Sequence, residues 1–373
     1  MTKVNNSNYT DNEISDVLRA RAGSRRVTFR YDLLDKNDIK IGELDGITGS
    51  IDYGDFKSIK RTATFTVNEY LQHEINFLSY EIKPWFILHM PQGGTVEWPL
   101  GVFLLESPSR KVNGKSSSRD IGAYDKTIII DEDMFISRYF IASGTNYVAE
   151  ITKILNDAGI THVNITATAL TMRSDREIAI GTKKKDVVND LLSEINYTSI
   201  SADESGVFFA APYVEPAQRA VTQVYVADID SIIDPEFSVT LDLTGRANVF
   251  VRVANNNDSA AALASTYIND SPQSSISTVN RGRYIVDYGE IEQIANQQTL
   301  DSYVYRLALD AASAYNKLTF TTALMPTHGS TETLYCDFPT VFDMPQKFTE
   351  TAWGMDLKFN GQMTHEAREA ISL

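Results

Sequence analysis

Five histidines, one cysteine and a surplus of carboxylates are the groups in this sequence that could do chemistry. The histidines are His73, His89, His162, His328 and His365. None stands in an HExxH or HxxxH pattern, and none shares a segment with a second ligand at metal spacing. Each is therefore read as a surface or packing histidine. Cys336 lies in the strand-like run Leu334-Tyr335-Cys336-Asp337-Phe338, where an inert buried thiol is the better reading. A single cysteine also forbids an intrachain disulfide framework or a Cys-based zinc site, which suits synthesis in a reducing cytoplasm. Asp228, Asp230, Asp234 and Glu236 make an acidic patch that could hold Ca²⁺. The D-x-[DN]-x-[DN]-G loop and its distal Glu are absent, so the patch reads as a solvated linker. Lys183-Lys184-Lys185 could meet phosphate, but three lysines at a helix start read as a solvated face. Forty-nine Asp and Glu guarantee coincidental carboxylate pairs, and no spacing selects one for glycoside hydrolysis. GxSxG, Walker A and GxGxxG are all missing. The sequence thus implies no enzyme, no cofactor, no metal and no catalytic residue.

The elements around these residues are mostly strands. Asn12–Ala22 places Ile14, Val17, Leu18 and Arg21 at helical spacing behind a polar arm. From Ser24 to Glu132 the period shortens to two, as in Val27–Tyr31 and Ala63–Val67. Further strands are expected at Ile39–Leu44, Ile47–Ile51, Glu81–Met90, Val96–Glu106 and Ile121–Ile130, with turns at Gln92-Gly93-Gly94 and Asn113-Gly114-Lys115. The block Asp133–Tyr213 mixes types. A first helix carries Tyr147, Ile151, Ile154 and Leu155 and ends at Gly159; a second follows Thr182, a plausible N-cap, with Val187, Val188, Leu191, Leu192 and Ile195. Tyr197–Ser201 and Val207–Tyr213 then flank the turn Asp203-Glu204-Ser205-Gly206. Strands return at Gln223–Ala227, Phe237–Leu243 and Val249–Ala254. Asn255–Val279, poor in large apolar side chains, reads as an exposed loop or insertion. A long helix through Leu300, Val304, Leu307 and Ala311 precedes strands at Leu318–Leu324, Thr333–Val341, Lys347–Thr351 and Met355–Met363, and a polar end with Glu366 and Arg368.

The fold class expected is therefore β-rich α+β: two small antiparallel β-barrels, an intervening α+β domain and a long helix. The boundaries expected are 1–23 (arm and short helix), 24–132 (first barrel), 133–214 (α+β), 215–256 with 316–373 (second barrel), and 257–315 (insertion and long helix). No apolar run approaches the ~20 residues that span a bilayer, and no secretory signal is visible at the N-terminus. Net charge is −15, which disfavours tight nucleic-acid binding but would let DNA pass without sticking.

The order of these parts resembles a known family. The segment Lys185-Asp186-Val187-Val188-Asn189-Asp190-Leu191-Leu192-Ser193-Glu194-Ile195-Asn196-Tyr197, followed by Ser201–Phe208, is similar to the helix, Asn-Tyr and Asp-x-x-Gly strand of phage tail-tip and baseplate hub proteins. The run Tyr303–Ala312 resembles their late helix. The family includes the N-terminal hub part of siphophage tail-associated lysins and the hub region of type VI spikes. The resemblance implies a virion protein of the tail tip, made in the host cytoplasm. It implies a homotrimeric ring with two similar barrels per chain, mating with a hexameric distal tail protein. The tape-measure protein and a tail fibre or spike would be further partners, with DNA passing through the ring. The chain stops at Leu373, so the wall-degrading activity of longer relatives is carried over to no residue. A carbohydrate-binding or adhesin module, and a cell-wall glycoside hydrolase, are the competing readings; the first needs clustered exposed aromatics, whereas the 18 tyrosines here look dispersed.

Overall fold

Thr10 caps the first helix, α1 (Asp11–Leu18): its hydroxyl accepts from the Glu13 amide, and the Glu13 carboxylate accepts from the Thr10 amide in return. Ile14, Val17 and Leu18 are buried, as their spacing requires. The structure is a computed structural model and describes residues 9–21, 23–68, 75–114, 116–228, 231–241, 246–254, 262–313 and 316–373. His73 and Asp230 lie outside the described residues.

Nine strands follow: β1 (Arg26–Leu34), β2 (Lys40–Leu44), β3 (Thr48–Gly54), β4 (Arg61–Asn68), β5 (Glu81–His89), β6 (Thr95–Pro99), β7 (Phe103–Leu105), β8 (Ser109–Asn113) and β9 (Ser116–Asp125). In β4 the alternation is clean: Ala63, Phe65 and Val67 are buried and the threonines between them face away. Gly93 and Gly94, both at positive φ, close the β5–β6 turn. The expected strand Ile121–Ile130 stops early. Asp125 Oδ1 accepts from the Thr127 amide, and Ile128–Glu132 turns into a helix, α2. The apolar run favours a strand, but the Asx-type turn at Asp125 sets the backbone first.

The α+β block contains β10 (Tyr139–Ile141), α3 (Tyr147–Asp157), β11 (Val163–Ile165), β12 (Arg176–Ile178), α4 (Lys184–Ser193), β13 (Ser201–Ala202) and β14 (Phe208–Ala210). Tyr147, Ile151, Ile154 and Leu155 of α3 share one core with Val187, Val188, Leu191 and Leu192 of α4. Gly159 follows the C-cap of α3 at φ +83°. The N-cap of α4 is Lys183, not Thr182, and its side chain makes no capping bond. The Asp203–Gly206 turn forms as expected, with the Asp203 carboxylate accepting from the Ser205 and Val207 amides.

The remainder comprises β15 (Gln223–Val226), β16 (Ile233–Leu241), β17 (Val249–Ala254), β18 (Leu263–Ile268), a four-residue helix α5 (Thr278–Arg281), β19 (Val286–Ile291), α6 (Gln297–Ser313), β20 (Asn316–Ala323), β21 (Thr333–Asp337), β22 (Gln346–Asp356) and β23 (Gln362–Glu369). Two expectations fail here. Within Asn255–Val279, the described part is no exposed loop. Leu263–Ile268 pairs with β17, while Asn269, Ile276 and Ser277 are buried. Small polar residues serve this segment because they bond one another: Asn269 Nδ2 donates to Ser274 Oγ at 2.9 Å, and the Ser277 hydroxyl accepts from the Asn280 amide. The other failure is Met355–Met363. A turn with Asn360 at φ +59° splits it, so Glu366 and Arg368 belong to a strand, not to a polar end.

Fifteen strands join one sheet, in the order β16-β20-β23-β22-β3-β4-β9-β7-β5-β1-β2, with β6, β8, β15 and β21 at its sides. Two closed barrels were expected; among the described residues neither half closes on itself, and the halves are continuous through β22. The cause lies in that strand. Its register against β23 shifts between Glu350 and Ala352. One edge of β22 therefore pairs first with β21 (Thr333↔Thr349) and then with β3 (Trp353↔Tyr53). Trp353, Met355, Leu357 and Met363 enter the first core, while Phe348 and Ala367 belong to a second core with Tyr225, Leu318, Phe320, Leu334 and Cys336. Sheet β18-β17-β19 stands apart and packs Phe250 and Ala254 against Leu300, Val304 and Ala308 of α6.

Candidate functional site

The bend in β22 turns one carboxylate inward. Glu350 is 1% exposed and lies between two histidines that are equally buried. Its Oε2 is 2.6 Å from Nδ1 of His328, on the loop after β20, and its Oε1 is 2.6 Å from Nδ1 of His365 on β23. The outer ring nitrogens are also engaged. His328 Nε2 meets the Tyr225 hydroxyl at 2.6 Å, and His365 Nε2 meets Thr322 Oγ1 at 2.8 Å. Tyr225, Phe320 and the two imidazoles pack ring against ring around the carboxylate.

A carboxylate only accepts, so each imidazole donates its Nδ1–H to Glu350. Burial alone would push the Glu350 carboxyl up; the two imidazoles, His328 first, instead pull it down to about 2. Burial holds His365 below its ordinary value, against the pull of Glu350. The neutral His365 ring can accept the Thr322 hydroxyl hydrogen. On protonation that hydroxyl has a second acceptor at 2.8 Å, the Ala323 carbonyl, so His365 can take up a proton with no other movement.

His328, Glu350 and His365 also form the one group of three metal-type ligands among the described residues. The donor types suit zinc, but the spacing does not. Two atoms ~2.0–2.1 Å from a shared tetrahedral zinc stand about 3.4 Å apart. Here each nitrogen is 2.6 Å from its carboxylate oxygen, in hydrogen-bond contact, with all four ring nitrogens in use. The cluster is a closed polar knot that ties β15, β20, β22, β23 and the His328 loop together.

The fold separates the other sequence candidates. His89 bonds Thr28 at the surface end of β5, and His162 is exposed, 3.6 Å from Asp38. Cys336 is fully buried in β21, and burial pushes its thiol far up. Asp234 accepts from the Glu236 amide at the irregular start of β16, and Asp228 and Asp234 occur in no metal-type group among the described residues. The lysine run departs from its reading as a solvated face, because Lys184 and Lys185 are each 5% exposed. Lys184 Nζ lies 2.6 Å from Asp133 and 2.7 Å from Asp157. Lys183 and Lys185 share Asp131 at 3.0 and 3.1 Å, and Lys185 also reaches Ser58 Oγ at 3.0 Å. Burial opposes the charge of Asp131, but hydrogen bonds from Lys183 and Lys185 outweigh it and hold the carboxyl low. Asp131, 54 residues from Lys185, and Asp157, 27 residues from Lys184, thus join Asp133 in turning a phosphate-like patch into a clasp, which Ser58 ties to the β3–β4 loop.

No protein-family model matches the chain, and no curated protein matches it in sequence. Solved structures do. The tail protein from Neisseria meningitidis MC58 superposes with a TM-score of 0.65 at 10% identity, over 92% of this chain and 97% of that one. The 43 kDa tail protein of prophage MuSo2 from Shewanella oneidensis gives 0.64 at 10% identity, over 92% and 98%. A chain of the Francisella PdpA-VgrG complex gives 0.55 at 9% identity, over 99% of this chain and 66% of that one. The fold is shared with these tail proteins and with a chain of the PdpA-VgrG complex, which accords with the resemblance to tail hubs drawn from Lys185–Phe208.

Proposed function

We propose that this chain is a structural protein of a phage tail, the hub of the tail tip. The observation that carries the reading is the whole-chain match to two tail proteins, over 92% of this chain and nearly all of theirs. An architecture shared from end to end is a stronger argument than a shared module, because partners on both faces of a ring constrain every domain. In this reading three copies close the tail tube, mate with a hexameric distal tail protein, hold the tape-measure protein, and open for DNA ejection. A fibre or spike would attach at the far side. No catalysis is required of it.

Physical chemistry supports this assignment. A trimer meets six equivalent surfaces only by offering two similar modules per chain. The strands β1–β9 and the strands β15, β16 and β20–β23 are the two candidates, hinged on β22. Each copy carries −15, so a lumen lined by three copies would repel passing phosphates instead of adsorbing them. A continuous sheet resists the shear of ejection better than two modules on a flexible linker. Light scattering after size exclusion, with negative-stain imaging, tests the reading. Three-fold rings with an open or plugged centre are expected; a monomer at every concentration, or an assembly without a three-fold axis, overturns it.

A further inference from the structure

A cleft of about 330 Å³ opens where β22–β23, the β3–β4 loop, the segment after β14 and α6 meet. Four cations from distant parts of the sequence line it: Lys60, Arg219, Arg306 and Arg368. Two carboxylates face them, Asp55 and Asp310. Four positive charges against two negative ones is an inversion in a chain whose net charge is −15.

The basic side chains are held but not neutralised. Tyr213 is flanked by two guanidinium groups, Arg306 at 4.4 Å and Arg219 at 5.6 Å from its ring centre. Arg306 spends one Nη on the Tyr197 carbonyl at 2.9 Å, and its Nε stays 3.8 Å from Asp310. Arg219 spends its Nε on the Val214 carbonyl at 2.9 Å. Arg368 lies over the Phe56 ring at 4.2 Å and, among the described residues, donates no hydrogen bond and makes no ion pair. Lys60 alone is fully paired, with Asp55 at 2.9 Å. The aromatic contacts hold the three guanidinium groups, and hydrogen bonds use one nitrogen each of Arg219 and Arg306. That is the arrangement that suits bidentate donation to a planar or tetrahedral oxyanion. Burial depresses Arg219 and Arg368, a cost that an added anion would relieve, and raises Asp310, which makes that carboxyl the easier one to neutralise when an anion enters.

We propose that this cleft is an oxyanion-binding site, taking a phosphate or carboxylate group between Arg219, Arg306 and Arg368. The volume admits a small anion or one acidic side chain and is far too small for a duplex. Because the ligands come from β23, α6 and the segment after β14, an occupied site would lock the α6 unit onto the large sheet. The inference does not depend on the tail assignment.

Thermal melts of the full chain at pH 7 and constant ionic strength test it, with sodium phosphate, sodium glutarate or sodium chloride as the probe. With a Kd of ~1 mM, ~20 mM ligand should raise Tm by about 2 °C, growing with the logarithm of concentration, where chloride does nothing. A larger rise with phosphate identifies a phosphate site, and a larger rise with glutarate a carboxylate site. R368Q should abolish the rise. D310N, which removes the competing carboxylate, should lower the ligand concentration that gives a ~1 °C rise, the midpoint of the expected shift, by about tenfold, a change that a merely structural arginine cluster would not produce. If R368Q melts lower yet keeps the full ligand-dependent rise, or if chloride matches both oxyanions, the site does not exist. Should R368Q fail to fold, D310N decides alone: an unchanged midpoint overturns the proposal.

Discussion

Tyr53 and Trp353 stack across the β3–β22 pairing with ring centres 5.8 Å apart and planes 19° from parallel. They are the aromatic hinge pin of the long sheet, placed where its two halves meet. Tyr53 is 3% exposed and Trp353 4%. Trp353 also donates its indole N–H to the Gly329 carbonyl at 2.9 Å, one residue from His328. Packing at the junction and the polar knot are thus mechanically linked.

Trp353→Ala should therefore destabilise by roughly 3–5 kcal/mol, the usual cost of emptying a buried aromatic site. The form of the loss is more informative than its size. Since β22 serves both cores, calorimetry should show one cooperative transition moved to lower temperature. Two separated transitions, only one of them shifted, would mean that the halves of the sheet fold independently.

Acid should weaken the protein through the knot, in two windows of the same sign. Burial keeps His365 below 6.5, so the folded state binds fewer protons there; that stability is present above 6.5 and falls away as pH drops through the lowered value. Glu350 is held at about 2, so its contribution is present above the unfolded carboxyl range near 4.5 and is lost as pH falls toward 2. Urea titrations of the native chain and of Glu350→Gln from pH 8 to pH 3, read as a difference so that groups of the opposite sign such as Glu194 cancel, isolate the knot. Glu350→Gln should be destabilised at pH 7 by on the order of 3 kcal/mol, as for one partner of a buried network, with a flatter acid limb. A variant whose acid limb runs parallel to the native one would show that the knot does not titrate.

The knot was legible in part. In β23 the inward stripe reads Met363, His365, Ala367, and in β22 Phe348, Glu350. A polar residue on an apolar stripe must find a partner, and that is a signal a sequence can give. The identity of the partner was not legible, because His328, Glu350 and His365 meet only through a loop and a shifted register. Local elements with strong periodicity, such as α3, α4, β4 and the Asp203–Gly206 turn, follow from spacing alone. Lys184 and Lys185 do not: three lysines carry no mark of the aspartates at 131, 133 and 157 that the fold brings to them. The strand β18 was hidden for another reason: it is short, it is embedded in a run of small polar residues, and only Leu263 and Tyr267 of its side chains pack partly against the α6 core. The open, continuous sheet in place of two barrels depends on one irregularity near Glu350, and no period encodes it.

The lysine clasp predicts a coupling energy. Lys185 is buried against Asp131 and Ser58, so Lys185→Met leaves a partly buried carboxylate with Lys183 as its remaining cation. The single change should cost about 1–3 kcal/mol, and Asp131→Asn a similar amount. The double variant should cost less than their sum, with ~1 kcal/mol or more of coupling in a double-mutant cycle. Simple additivity would return the lysines to the role of a solvated face.

Glu194 should behave in the reverse sense to Glu350. It is 3% exposed; Oε1 takes Arg176 at 2.7 Å, and Oε2 has no hydrogen-bond partner among the described residues. Burial outweighs the arginine and raises its carboxyl to about 7. A folded value above the unfolded one means that the folded state holds an extra proton between about pH 4.5 and 7. That stabilisation is complete below the unfolded value and disappears as pH climbs through 7, where the buried charge must form. Glu194→Gln cannot ionise, so relative to the native chain it should gain stability as pH rises from 4 to 8, by up to ~3 kcal/mol. Paired denaturation curves at the two pH values measure the difference directly. A variant that loses ground as pH rises would mean that Arg176, not burial, sets the charge state of Glu194.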